Sequence, residues 1–322
     1  MAPKEYTTKE QILALADPDP EYASWKAANP IPNIPWNQPA LLRAGYEEIT
    51  KPTFDALSNP GMEFSIPMRD GYLSPTRVYK PQNPPASPKP LIVILFGGGF
   101  MMGDNRQMAP MAAVLSVQYG ATVVLPSYRL SPEHPFPVAQ NDTWDTLIWI
   151  SEHAKSAPEL AAVVDPSAGF VLCGASSGGN IAARSDSIGG IVQVPEEFRD
   201  VFLSREQNKD ADFLSTSAIE FVVLYNRPDP QSPLASPMNS KTPWKLAEQG
   251  VRVYINVCGI DPLRDDGLIY ERILRANGVE TKLDVYPGVP HGHSLWLPFL
   301  ESSKRTVQDA MRSFSWLLRQ DE

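Results

Sequence analysis

Cysteine is scarce in this chain, with two among 322 residues, Cys173 and Cys258. Both fall in short apolar runs that look like buried strands, so they read as small buried hydrophobes rather than as a structural disulfide. A chain of this length buries most of its apolar surface on folding and needs no such staple. Long apolar runs are also missing. The longest, Leu91–Phe96 and Ala121–Pro126, fall far short of the ~20 residues that span a bilayer and have the length of strands. The amino terminus, MAPKEYTTKEQILALADPDP, has neither the apolar core of a secretory signal nor an Arg-rich transit pattern, which makes the cytosol the expected compartment. Cations are outnumbered, 28 Lys and Arg against 37 Asp and Glu, and that balance argues against a nucleic-acid partner. Histidine occurs only four times, so chemistry that needs an imidazole has few candidates.

Proline is the residue in excess. Its 33 copies are about twice the usual ~5 %, without the period of collagen, and sixteen lie in the first 90 residues. Helical fragments sit among them. Thr7-x-x-Glu10 ahead of Ile12, Leu13 and Leu15 reads as a capping box, Glu21–Ala28 as a second short helix and Pro39–Ile49 as a third. Pro30, Pro32, Pro35 and Pro39 hold the chain extended between these pieces. Glu63–Pro67 and Leu73–Tyr79 read as an antiparallel pair turned at Asp70-Gly71, and Pro81–Pro90 as a stiff connector. Pro132, Pro135, Pro137, Pro262 and Pro290 lie instead in motif loops, where a fixed φ leaves less entropy to lose on folding.

After residue 90 the rhythm changes. LIVILF (91–96), ATVVLP (121–126), GFVLCG (169–174), a weaker IVQV (191–194), VRVYINV (251–257) and TKLDVYP (281–287) read as strands. Helical patterns at Gln107–Gln118, Val138–Lys155, Ser177–Arg184, Asp265–Asn277 and Ser302–Arg319 separate them. Strand alternating with helix predicts an α/β fold, a mostly parallel sheet with helices on both faces. Glu196–Gly250 breaks the alternation and reads as an insertion over that sheet. No internal repeat is visible.

The sharpest chemical signal is GASSGG, Gly174–Gly179, between a strand and a helical run. G-x-S-x-G in that setting is a nucleophile elbow: Ser176 sits on a strained turn that small residues two before and two after it permit. The N–H of Ser177 then faces an oxyanion. A chance match in a glycine-rich turn is the competing reading. A serine nucleophile needs a base. His134 lies between prolines, His153 on a helix where it is expected to face solvent, and His291 and His293 in PGVPHGH after the last predicted strand. Ligand-binding groups gather at the carboxyl ends of parallel strands, so His291 is the leading base. His291-x-His293 as a metal site lacks a third ligand at recognisable spacing. Asp261 follows a strand and precedes Pro262, the best place for the carboxylate that orients the base. Asp265 and Asp266 read as first-turn residues of the next helix, favoured there by its dipole. The order Ser176, Asp261, His291 is the one expected for a nucleophile-elbow hydrolase. FGGGF, Phe96–Phe100, adds three consecutive glycines whose N–H groups are open at a strand end, as an oxyanion hole requires; a phosphate cradle would want a following G-K-[ST], which is missing.

With FGGGF, SYRLSPEHPFP (127–137), GASSGGN (174–180), GIDPLRDDG and PGVPHGH in view, the chain resembles the hormone-sensitive-lipase-like branch of the α/β-hydrolases over roughly residues 60–320. The resemblance implies an eight-stranded, mostly parallel sheet forming one α/β-hydrolase domain. It also implies a helical cap from about 1–56 and 196–248 on a core of about 60–195 and 249–322. It implies carboxylic-ester hydrolysis through an acyl-enzyme, with Ser176 as nucleophile, Asp261 as acid and His291 as base. Gly98, Gly99 and the N–H of Ser177 match the oxyanion donors. EEFRDVF and REQNKDADFL resemble fungal members of the branch, some of which tailor secondary metabolites. Three departures stand out: Phe96 where the family has the histidine of H-G-G-G, Ala175 where the elbow usually carries an acidic residue, and a short stretch from Ile181 to Val194.

The reading that follows is a serine carboxylesterase for small, largely apolar esters, needing no cofactor and no metal. Its partner is a small-molecule ester, with no nucleic acid and no membrane span, and a homodimer is the assembly to test. Two other readings stay open: a tailoring hydrolase or cyclase in secondary metabolism, and a non-catalytic small-molecule receptor on the same scaffold.

Overall fold

Leu91 to Leu95 and Thr122 to Pro126 are buried along their whole lengths, which is why they read as continuous apolar runs rather than as alternating ones. They sit in a five-stranded sheet of Met62–Pro67 (β1), Leu73–Tyr79 (β2), Leu91–Leu95 (β3), Thr122–Pro126 (β4) and Phe170–Gly174 (β5), ordered β1-β2-β4-β3-β5. The β1–β2 hairpin and the β2–β4 pair are antiparallel; β4, β3 and β5 run parallel. This computed structural model describes residues 6–81, 90–154, 156–160, 168–183 and 194–320. It resolves into two compact units, one of Pro35–Ile191 and Val222–Pro237, the other of Met1–Ile34, Val192–Phe221 and Met238–Glu322.

The sheet of five belongs to the first unit, together with Pro39–Asp55 (α3), Ala109–Gln118 (α4), Val138–His153 (α5) and Ser177–Ala182 (α6). Its core packs Val78, Leu91, Val93 and Val124 against Ile150, Ala154 and Leu160. Helix α3 runs past its predicted end at Ile49, through Pro52, to Asp55. Pro52 cannot donate to the carbonyl of Glu48, and the helix continues for one more turn past that missing bond.

The second unit holds Lys9–Leu13 (α1), Pro20–Ala28 (α2), Ser204–Gln207 (α7), Trp244–Glu248 (α9), Arg264–Ala276 (α10), His293–Trp296 (α11) and Glu301–Leu317 (α12), with the parallel pair Arg252–Ile260 (β6) and Glu280–Pro290 (β7). Thr216–Asn226 (α8) runs from one unit into the other. The capping box of α1 falls one residue later than predicted. Thr8 Oγ1 accepts from Gln11 N, and Gln11 Oε1 accepts from both Thr8 N and Thr7 N. Ile12 and Leu15 are buried with Val257 and Leu268.

Both strands of the parallel pair outrun the predicted 251–257 and 281–287. They pair in register from Arg252↔Glu280 to Cys258↔Tyr286, slip, and pair again at Ile260↔Pro290. One residue, Gly259, bridges the gap on β6, and three, Pro287 to Val289, bridge it on β7. The bulge seats the segment after α1: Asp19 N donates to Gly288 O at 3.0 Å, and a Cβ on Gly259 would lie 1.9 Å from Leu15 O.

Seven strands are seen among the described residues. Of the strand expected at 191–194, residues 191–193 lie outside the described ones, as do Lys155 and Arg184 at the predicted ends of two helices. Among the described residues no helix is long and apolar enough to cross a membrane.

Two alanine substitutions should therefore move stability in opposite directions in urea titrations. Gly259→Ala drives a methyl into backbone and should cost about 1–3 kcal/mol. Gly45→Ala, exposed inside α3 with nothing within 4 Å of the added methyl, should gain up to about 1 kcal/mol.

Candidate active site

The elbow forms where β5 ends and α6 begins. Ser176 caps α6 with φ 53° and ψ −120°, a conformation that a non-glycine residue adopts at a cost of about 1–3 kcal/mol. Close backbone approach explains the glycines around it. A Cβ on Gly174 would lie 2.4 Å from the carbonyl carbon of Gly178, and one on Gly178 would lie 2.2 Å from Phe96 O. The end of β3 and the start of α6 thus meet backbone to backbone. Ser177, the first residue of α6, is buried.

The loop after β3 is fixed by its own peptides. Gly98 O accepts from the N–H groups of Met101 and Met102 at 3.0 and 3.1 Å. The N–H of Gly97 donates to Gln107 Oε1 at 2.6 Å, and Phe96 O accepts from the Tyr128 hydroxyl at 2.8 Å. Among the described residues no acceptor meets the N–H of Gly98, Gly99 or Ser177. Phe96 is buried, and its ring stacks on Tyr128 with centroids 4.1 Å apart and planes 6° off parallel. An apolar stack therefore occupies the position of the motif histidine.

Asp261 and His291 are the first residues beyond Ile260 and Pro290, the last pair of the parallel strands. Neighbouring strand ends deliver them side by side, and His291 Nδ1 donates to Asp261 Oδ2 at 2.7 Å. That bond puts the imidazole lone pair on Nε2. Asp261 Oδ1 accepts from Leu263 N at 2.8 Å, which fixes the carboxylate from its own loop. Burial opposes the charge on the His291 ring, but attraction and hydrogen bonding from Asp261 outweigh it; Arg205 pulls the other way, and the net shift is upward.

A cradle that sequence reasoning missed holds the loop carrying Asp261. Asn208 Nδ2 donates to Gly259 O at 3.1 Å and to Asp261 O at 3.0 Å. Ser204 Oγ donates to Pro262 O at 2.7 Å, and Arg205 donates to the same carbonyl. The cradle is tied down by Asp265, whose Oδ2 accepts from Leu203 N and Ser204 N at 2.6 Å each and whose Oδ1 takes Arg264 Nε at 2.7 Å, both side chains fully buried. Asp265 and Asp266 do lie in the first turn of α10, as expected, but their work is here rather than at the helix dipole. Burial pushes Asp266 up to about 6, against the pull of Arg205. Nothing local marks this cradle in the sequence, since its partners lie 51 to 62 residues further along the chain.

The other histidines separate clearly. His293 turns away to Cys258 Sγ, 3.4 Å from Nδ1, and Thr306 Oγ1, 3.0 Å from Nε2; burial pushes it down to about 4, so it is neutral at neutral pH. His153 is half-buried rather than solvent-facing, because its ring stacks on Trp149 one turn earlier at 4.6 Å. His134 is exposed. Both cysteines are free and half-buried; burial pushes Cys173 up to about 12 and Cys258 upward as well. No group of three or more His, Cys, Asp or Glu among the described residues could hold a metal ion. The six predicted site residues thus fall into two groups. Ser176, Ser177, Gly98 and Gly99 lie in the first unit, and the bonded pair Asp261–His291 lies in the second.

A strained serine between strand and helix, beside a glycine loop with open N–H groups, is the architecture of an α/β-hydrolase, and the chain belongs to that family: residues 92–295 match the alpha/beta hydrolase fold. An AB hydrolase superfamily protein of Schizosaccharomyces pombe is 34 % identical to it, over 79 % of this chain and 78 % of that one. The versiconal hemiacetal acetate esterase of Dothistroma septosporum is 29 % identical, over 76 % of this chain and 78 % of its own. Among solved structures, vibralactone cyclase shares the fold with a TM-score of 0.84 at 24 % identity, covering 99 % of each chain.

The His291 shift gives a prediction that needs no substrate. With only four histidines, ring-proton NMR should resolve a titration for His291 with its midpoint above the ordinary ~6.5. The protonated pair then adds stability that is complete below pH ~6.5 and is lost as pH rises through the folded midpoint. Asp261→Asn removes the carboxylate and leaves burial and Arg205 in control. The midpoint should then drop below ~6.5; a midpoint unchanged by the substitution would contradict this account of the pair.

Proposed function

We propose that the protein is a serine carboxylesterase that hydrolyses small, largely apolar carboxylic esters through an acyl-enzyme. The observation that carries this reading is the backbone of Ser176. Its positive φ at a strand-to-helix turn is a strain that a merely structural serine would have no reason to bear. In this reading Ser176 Oγ attacks the acyl carbon and His291 Nε2 takes its proton. Asp261 holds the ring and offsets the imidazolium charge. The N–H groups of Gly98, Gly99 and Ser177 stabilise the oxyanion, and each such donor is typically worth a hundredfold or more in rate. His291 then protonates the leaving alcohol, and a water activated by the same histidine releases the acid and restores the serine.

The relative named as an acetate esterase supports ester hydrolysis, and its named substrate supports a second reading, a tailoring hydrolase in secondary metabolism that uses the same serine. The domain organisation that goes with both is a single hydrolase domain with residues 1–56 and 196–248 as cap. A receptor on this scaffold would not need Ser176.

The purified protein should cleave short p-nitrophenyl esters, with kcat/KM falling as pH drops through the His291 midpoint. A fluorophosphonate should label Ser176. Ser176→Ala should lose the label and about 10⁴-fold or more of kcat. Ester turnover that survives in Ser176→Ala would overturn the serine mechanism. Tight binding of an ester without turnover, equal in wild type and Ser176→Ala, would favour the receptor.

A further inference from the structure

Tyr128 lies two residues beyond β4, 4 % exposed, in the SYRLSPEHPFP stretch that the proposed chemistry does not use. Its hydroxyl is 2.8 Å from Phe96 O and 3.2 Å from Ser177 Oγ. A phenol has one proton and a carbonyl can only accept, so Tyr128 donates to Phe96 and the Ser177 hydroxyl donates to Tyr128. Three groups thus form one directional chain, from Ser177 Oγ–H through the phenol to the carbonyl of Phe96.

That carbonyl belongs to the peptide whose N–H, on Gly97, is held by Gln107 Oε1 at 2.6 Å. A peptide is planar, so gripping its oxygen on one side and its nitrogen on the other fixes the whole plane. The next N–H along the chain is that of Gly98. On the other side, the residue whose hydroxyl enters the chain, Ser177, carries the N–H at the start of α6. The strand ends themselves are joined through backbone, Gly174 pairing with Leu95 and Ala175 N donating to Leu95 O at 3.2 Å. One step further along each segment, the phenol supplies a side-chain link between the Phe96 carbonyl and the first residue of α6.

We propose that Tyr128 is a positioning residue that aims both sets of oxyanion donors, the Gly98–Gly99 loop and the N–H of Ser177, by bonding Phe96 O and Ser177 Oγ at once. The proposal rests on the esterase reading of the site. Tyr128 itself touches no substrate. Burial keeps the phenol protonated far above any working pH, so its removal should leave the pH profile unshifted.

Tyr128→Phe retains the stack on Phe96 and deletes only the hydroxyl. For a short p-nitrophenyl ester, kcat should fall about 10- to 50-fold, less than the loss of a whole donor, with KM within about twofold. The inhibition constant of a trifluoromethyl ketone, whose adduct with Ser176 places an oxyanion in the same position, should weaken by the same factor as kcat/KM. A purely structural tyrosine would lower the melting temperature without that parallel. Ser177→Ala provides a second probe if Tyr128→Phe does not fold; it leaves the Phe96 bond in place and should lose about 3- to 10-fold in kcat with the same inhibitor parallel. Unchanged kcat in either folded variant, or a loss confined to KM, overturns the proposal. Ser176→Ala run alongside separates the two levels. If it is inactive while Tyr128→Phe turns over like wild type, only the positioning role fails; if it stays active, the serine mechanism on which the proposal rests fails first.

Discussion

The register slip between two parallel strands governs the second unit. Because β6 and β7 lose step at Gly259 and Pro287–Val289 and regain it at Ile260↔Pro290, the next residues, Asp261 and His291, leave the sheet as neighbours. Backbone register brings the two positions together, and an aspartate and a histidine placed there close the 2.7 Å bond. The same bulge takes in the chain after α1 through the Asp19–Gly288 bond, so an amino-terminal segment is anchored by the feature that places the dyad.

Around that geometry the protein places charge where it is costly. Arg264 and Asp265 are wholly buried, and such a pair is tolerable only if every partner is satisfied. Here the remaining capacity goes to the backbone and to one side-chain amide: Asp265 accepts from Leu203 N and Ser204 N, and Arg264 donates to Gln207 Oε1 and Gly259 O. The ion pair is thus less a source of stability than a fixed frame, on which Ser204, Arg205 and Asn208 hold the carbonyls of Gly259, Asp261 and Pro262.

Much of this was legible in the sequence, for reasons that differ by element. Strands buried on both faces have to be apolar throughout, so β3 and β4 could be read within a residue. The elbow glycines could be read because backbone contact leaves no other choice. The ends of β6 and β7 could not. Pro287-Gly288 carries the local signal of a turn, and only pairing partners far along the chain turn it into a bulge. Asp265 and Asp266 look like ordinary first-turn acids until burial reveals what they bond. Tyr128 is invisible for the same reason, since its two partners lie 32 and 49 residues away.

The backbone contact between β3 and α6 has a consequence for how such a chain diversifies. Gly174 and Gly178 have no room for a methyl, so selection cannot alter the walls of the turn they form. At Gly99 the neighbours are side chains instead, with Val222 Cγ2 and Trp36 Cζ3 at 2.9 and 3.2 Å from where a methyl would stand. The space beside Gly99 is thus shaped by two side chains, Trp36 and Val222, whereas the space beside Gly174 and Gly178 is shaped by backbone that no substitution can trim.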